Sequence, residues 1–237
     1  MEMRLEHPHL GGQPMEETAP EDASPVFAGA IGYVQHIDVR ALEDCAKAAG
    51  RGVFITALPG AFVDPARPVA MVSGARDETI HKAISGAFSV GHERTFDQDP
   101  RFGLCVLAEI ASRALSPAVN DPGTAIDVIG RAVRLLAQWG RFRASERAVE
   151  IKYPNVRVPA VDVDDMFDDI FAPIERDGAS LIEIHVRLQK AFSALAAADR
   201  ETLGDAAKRH SASALEWAEA GLKLESERRA VRNLAEK

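Results

Sequence analysis

Long hydrophobic runs are missing from this chain: none of its 237 residues lies in a stretch approaching the ~18–20 apolar residues that cross a bilayer. The N-terminus also lacks the basic-then-apolar pattern of a secretory signal. Cysteine is scarce. Cys45 and Cys105 are the only two, both within apolar helical patterns, which favours buried reduced thiols over a disulfide framework. With no disulfide pressure, the cytoplasmic side is the preferred location. A basic field is missing too. The formal charge is −8, and the first 26 residues hold six acids against Arg4 alone, leaving the rest of the chain close to neutral. General nucleic-acid binding is therefore not expected.

Signatures of common chemistry are equally sparse. Ser116 lacks the Gly-x-Ser-x-Gly elbow, no glycine-rich phosphate loop occurs, and neither cysteine has a histidine nearby in sequence. The seven histidines include no His-x-x-x-His pair. Asp162, Asp164, Asp165, Asp168 and Asp169 crowd a helix start, but without the glycine and spacing of a calcium loop they read as solvated acids that suit that end of the helix dipole. No catalytic residue, metal or cofactor is expected.

Residues 1–26, with four prolines, a glycine pair and no periodicity, read as a disordered acidic leader. Residues 27–75 read as β-rich: strands over 28–37, 53–58 and 69–72, and a helix over 39–49 with the stripe Leu42, Cys45, Ala46 and Ala49. From residue 76 the pattern turns helical. Ile80, Ala83, Ile84, Ala87 and Phe88 form one stripe, closed by Gly91. Helix 100–115 is apolar nearly all round and predicts a central, buried element. Helix 122–138 shows Ile126, Ile129, Val133 and Leu136 on one face. Residues 140–160 read as an irregular, extended excursion because Tyr153-Pro154 and Val158-Pro159 disfavour helix. Helices follow near 163–175, 179–197 and 200–235, the last broken around Gly221.

The candidate site is the turn Arg113-Ala-Leu-Ser-Pro-Ala-Val-Asn-Asp-Pro-Gly-Thr-Ala125, where two apolar helices meet. Asp99-Pro100 and Asp121-Pro122 both read as helix starts, and capping is the favoured role of each aspartate. Arg113 follows Glu109 by one turn, so the two can pair. A buried ion-pair network fixing two core helices is favoured; the sharper reading is an anion site in which a helix N-terminus and Arg113 or Arg94 face a phosphate or carboxylate. Ser116, Asn120, Asp121 and Thr124 complete the set, and Asn120 tolerates left-handed geometry.

Two resemblances add to this. Pro59-Gly-Ala-Phe-Val63, followed by Asp64-Pro65 and Pro68, resembles the hammerhead hairpin of barrel-sandwich domains related to biotinyl and lipoyl carriers. No lysine stands on that hairpin, so a structural β-module is the better reading than a carrier. Gly32-Tyr-Val-Gln-His-Ile-Asp38, Pro59–Val63, Gly91-His-Glu-Arg-Thr95, Asp97-Gln-Asp-Pro-Arg-Phe-Gly103 and Arg113–Ala125 together closely resemble the bacterial predicted membrane proteins called domain of unknown function 2254. Ala118 stands where a glycine is usual, Glu109 where an aspartate is usual, and Gly123 where a larger residue is usual. The resemblance implies a membrane-linked setting through transmembrane helices that relatives carry and this chain lacks. It implies no activity.

These readings predict an α+β protein: a small β-rich, barrel-sandwich-like module with an inserted helix, packed on an α-helical domain over 76–237. The favoured function is non-enzymatic: a soluble domain of a membrane protein, acting by self-association as a homo-oligomer or by binding a small anionic ligand. The rival is an enzyme or anion-binding site centred on Arg94, Arg113, Ser116, Asn120, Asp121 and Thr124. A third reading is a purely structural assembly domain. A site leaves Arg113 and Asn120 lining an open cleft, whereas a structural network buries both. An assembly domain exposes an apolar patch, which the sequence suggests around Leu215, Trp217, Leu222 and Leu224.

Overall fold

The computed structural model describes residues 7, 9–145 and 150–236. The strands are β1 (Gly12–Pro14), β2 (Ser24–Phe27), β3 (Gly32–Ile37), β4 (Val53–Ile55), β5 (Phe62–Val63), β6 (Pro68–Val72), β7 (Phe88–Gly91) and β8 (Tyr153–Val158). The helices are α1 (Val39–Ala49), α2 (Glu78–Gly86), α3 (Pro100–Leu115), α4 (Pro122–Ser145), α5 (Val163–Asp177), α6 (Ile182–Ala198), α7 (Arg200–Gly221) and α8 (Glu225–Ala235). The protein is α+β, in two compact units. One takes the chain up to Gly103 plus the segment ending at Val161; the other takes the chain from Leu104 into α4 and everything from Asp162.

The first unit contains two sheets, ordered β1-β8-β4-β6-β2 and β5-β3-β7. Val53-Phe-Ile55 is an unbroken apolar run because β4 lies inside the first sheet, antiparallel to β6 and parallel to β8. The chain between β4 and β6 leaves that sheet. Its Phe62–Val63 pairs instead with Gly32–Tyr33 of β3, so the Pro-Gly turn joins the two sheets rather than closing a hairpin within one. Phe88–Gly91 is also a strand, pairing antiparallel with β3, and not the end of the preceding helix as its apolar spacing suggests. Helix α2 stops at Gly86.

Two segments read as lacking regular structure carry strands of the first sheet. Gly12–Pro14, within the stretch read as a disordered leader, runs parallel to β8, and His9 Nδ1 sits 3.0 Å from the Val158 carbonyl. Tyr153–Val158, read as an irregular excursion, places Val156 and Val158 fully inside the core. Its period-two alternation was masked by the flanking prolines, which are tolerated where a strand starts and just after it ends. The first six residues of the stretch read as a leader lie outside the described residues. Glu43 of α1 is buried and accepts from the Asn155 backbone N–H (2.8 Å) and side-chain amide (2.7 Å), tying helix to strand. Cys45 and Cys105 form no disulfide; both are half-buried rather than buried.

The second unit is helical. Its interior is lined by Met166, Phe167, Ile170, Phe171 and Ile174 of α5 and by Ile184, Leu188, Phe192 and Leu195 of α6. On α4 the buried stripe is Ala125, Ile129, Ala132 and Leu136, so alanines rather than Ile126 and Val133 face inward. The break at Gly221 has a packing cause: a Cβ there would overlap the Ala179 backbone. Leu222, Ala218 and Val231 form a small core with Leu215 against it, so the apolar patch suggested for this region shrinks to Trp217 and Leu224. Among the described residues no helix is long and apolar enough to cross a membrane.

Candidate functional site

In the first unit, the motifs around Gly60, Arg94 and Asp99 converge on one buried arrangement. The Gly60 N–H donates to Val34 O (2.8 Å) with φ +92°, and a Cβ at this position would overlap the Asp99 carboxylate. Asp99 is 3% exposed and receives both arms of the Arg94 fork, Nε at 2.7 Å and Nη2 at 3.1 Å. Its Oδ1 also accepts the backbone N–H groups of Arg101 and Phe102, capping α3 as the sequence predicts. Gln98 brackets Ile37, accepting from its N–H (2.9 Å) and donating to its carbonyl (3.3 Å). Gln35 donates to Glu93 O at 2.7 Å. These contacts fasten residues 93–99 along β3. Arg94 is thus held by an internal carboxylate, and it belongs to a different unit from the other candidate residues.

Those others, Arg113, Ser116, Asn120, Asp121 and Thr124, lie together in the second unit. The end of α3 is closed by its own backbone: Asn120 N–H donates to Ser116 O (2.9 Å) and Asp121 N–H to Ala114 O (2.8 Å). That reversal requires the left-handed residue, which is Asn120 (φ +50°). The Ser116 hydroxyl donates to Arg113 O at 2.7 Å. Asp121 caps α4, accepting from the Thr124 hydroxyl (2.6 Å) and N–H (3.1 Å), and these bonds hold its carboxyl below the usual carboxylate range.

Beside this turn is an open cavity of about 470 Å³. Val106, Ile110 and Val119 give it an apolar side, and Glu109, Arg113, Asp121 and Thr124 a polar one. Helix α3 is not buried all round. Its inward stripe is Leu104, Ala108, Ala111 and Leu115, with Ser112 hydrogen-bonded to Asp177, while Ile110 is 46% exposed and Val119 54%. Glu109 and Arg113 are exposed, and among the described residues neither makes an ion pair, with each other or with another group. The expected buried network does not form, because Glu109 and Arg113 lie on the side of α3 opposite its Leu104, Ala108, Ala111 and Leu115 stripe. Ser116 and Asn120 shape the turn without lining the cavity.

Sequence reasoning missed two groupings. A cleft of about 190 Å³ in the first unit gathers His7, His36, Asp38, Arg40, Asp97 and Tyr153. Two of the quoted motifs, Gly32–Asp38 and Asp97–Gly103, supply it, which was the available signal. In the second unit, buried His210 contacts Glu175 (Nδ1 to Oε1, 2.7 Å) and Asp168 (Nε2 to Oδ1, 3.0 Å). Ser213 donates to the other Glu175 oxygen at 2.7 Å. The spacing of Asp168 from Glu175 and of His210 from Ser213 puts each pair on one helix face, which was readable. Among the described residues no cluster could hold a metal ion.

Comparison with known proteins adds family and extent. Over 116 residues the chain is 35% identical to the uncharacterized protein Rv1290c of Mycobacterium tuberculosis, covering 46% of this chain and 22% of that protein. The uncharacterized protein Mb1321c of Mycobacterium bovis matches to the same degree and extent. The matching segment therefore spans about a fifth of these relatives' length. No solved structure matches at a significant level. The model of the family described as Predicted membrane protein (DUF2254) matches residues 3–194, and the chain belongs to that family.

Proposed function

We propose that this chain is a portion of a membrane protein that lies outside the bilayer, on the cytoplasmic side, and serves as a non-enzymatic binding module. Its working surface is the face formed by α3, the following turn and the start of α4. One observation carries this reading: Ile110 and Val119 stand exposed beside Glu109 and Arg113, which have no ion partner among the described residues. Exposed apolar side chains rimmed by uncommitted charges are what a recognition surface presents. Hydrolytic chemistry finds little support at this face. The Ser116 hydroxyl is given to a carbonyl of its own helix, and Asp121 is engaged by Thr124.

Native mass spectrometry of the purified chain, beside an Arg113→Ala, Asn120→Ala double variant, tests the reading. The parent is expected to carry a partner, either a second chain or a bound small mass, which the folded variant loses. Identical spectra from both reject it.

A small anion on Arg113 is the second reading, favoured by that guanidinium's lack of a partner. The carboxylates of Glu109 and Asp121 on the same cavity weigh against it. Titration with inorganic phosphate decides. A saturable shift of the Asp121 and Thr124 backbone amide resonances, lost in Arg113→Ala, supports an anion site; no shift removes it.

A further inference from the structure

We infer that the face formed by α3 and its turn is covered by the same face of a second copy, the two α3 helices running antiparallel about a two-fold axis level with Ala111. This rests on the binding-surface reading above and names its partner. The argument begins with charge. Glu109 and Arg113 lie one turn apart on the exposed side of α3 and do not pair with each other or with any described residue. In an antiparallel pair whose axis is level with residue 111, position 109 of one helix stands level with position 113 of the other, and the reverse. Each Glu109 then meets the Arg113 of the second copy. The two unpaired sets, one per copy, become two satisfied pairs, which is the self-complementarity that a two-fold contact demands.

The apolar groups follow the same symmetry. Ile110 lies nearest the axis and meets its own copy. Val106, one turn earlier, stands level with the start of the second copy's turn, from which Val119 projects, 54% exposed. Left-handed Asn120 is what sends the chain back there and leaves Val119 outside. The inward side of α3 is Leu104, Ala108, Ala111 and Leu115, and Ile110 on the outer side remains for a partner.

Other occupants fit less well. An anionic ligand or membrane surface would meet two carboxylates, Glu109 and Asp121, against one guanidinium. One helix face and one turn fall short of the ~800 Å² per partner typical of a stable complex. Pairing by the isolated chain is accordingly weak, reversible and concentration-dependent.

Sedimentation equilibrium on the full chain over a wide concentration series tests this with three variants: Glu109→Arg, Arg113→Glu, and the two together. All are exposed substitutions, and circular dichroism verifies that each variant folds. The parent is expected to dimerise. Either single reversal sets like charges across the axis and weakens the dimer by on the order of tenfold. The double reversal restores opposite signs and recovers the parent's association. Ile110→Asp abolishes the dimer. A dimer indifferent to the single reversals, or one the double reversal fails to recover, overturns the antiparallel α3 contact. A chain that stays monomeric yet loses a bound small mass in Arg113→Ala overturns the second copy and leaves the binding surface standing. A monomer with no bound mass overturns both.

Discussion

Arg94 and Asp99 show how much one pair of side chains can decide. The Arg94 side chain is 20% exposed and the Asp99 side chain 2%, and the carboxylate also caps α3. Removing the guanidinium leaves a buried charge without its counter-ion, so Arg94→Ala is expected to destabilise the first unit by about 3–5 kcal/mol. Arg94→Lys keeps the charge but not the fork and should recover only part of that. Urea unfolding of the three proteins measures both, and equal stability of parent and Arg94→Ala would show the pair to be dispensable. Gly60 packs against the same carboxylate: Gly60→Ala meets a left-handed φ and the Asp99 oxygens together, at a cost of ~1–3 kcal/mol. His185 carries a pH signature. Burial holds its imidazole below the ordinary value of about 6.5, although nearby acceptors pull the other way. Its folded pKa is depressed, so between that value and about 6.5 the unfolded chain binds the extra proton. Stability is full above pH ~6.5 and falls as pH drops through the window. His185→Gln should flatten that part of the stability–pH curve in denaturant titrations; an unchanged slope would assign it to another group.

At the scale of elements, α5 and α7 are joined through Glu175, His210 and Ser213, with the rings of Phe167, Phe171 and Phe192 around the imidazole. Glu175 is fully buried. His210→Ala leaves that carboxylate with the Ser213 hydroxyl and a void, and should cost about 3–5 kcal/mol. The double change Glu175→Leu, His210→Phe should cost much less, because it removes both polar groups together; thermal unfolding of the pair of variants reads the difference. Helix α3 teaches a different lesson. Its limits were legible from Asp99-Pro100 at one end and Asn120-Asp121-Pro122 beyond the other, since capping is local chemistry. Its burial was not. Composition says a helix is apolar; it does not say how many neighbours arrive to cover it, and here the stripe of Leu104, Ala108, Ala111 and Leu115 takes the core while Ile110 stays outside. The shift of the α4 stripe from Ile126 and Val133 to Ala125 and Ala132 has the same origin.

Across the whole molecule, the first unit depends on chain that is distant in sequence. Strand β8 lies between β1 and β4, with Val156 and Val158 fully buried. A fragment ending at Gly103 lacks that strand and exposes the backbone edges of both neighbours. It is expected to be unfolded or aggregated by circular dichroism and light scattering, and a well-folded monomeric fragment would contradict this account. The residues alone speak for what is local. Hydrophobic period, prolines at first helical positions and aspartate caps act within a turn or two of chain, and so the α+β class, most helix limits, the break at Gly221 and the cluster at the α3–α4 turn could be read from residues alone. The tertiary structure decided what depends on distant partners: the pairing of β1 with β8, the crossing of Phe62–Val63 to the second sheet, the capture of Arg94 by Asp99, and the exposure of Arg113. Each is settled by which surface another segment covers, and that quantity is not written in any single stretch of sequence.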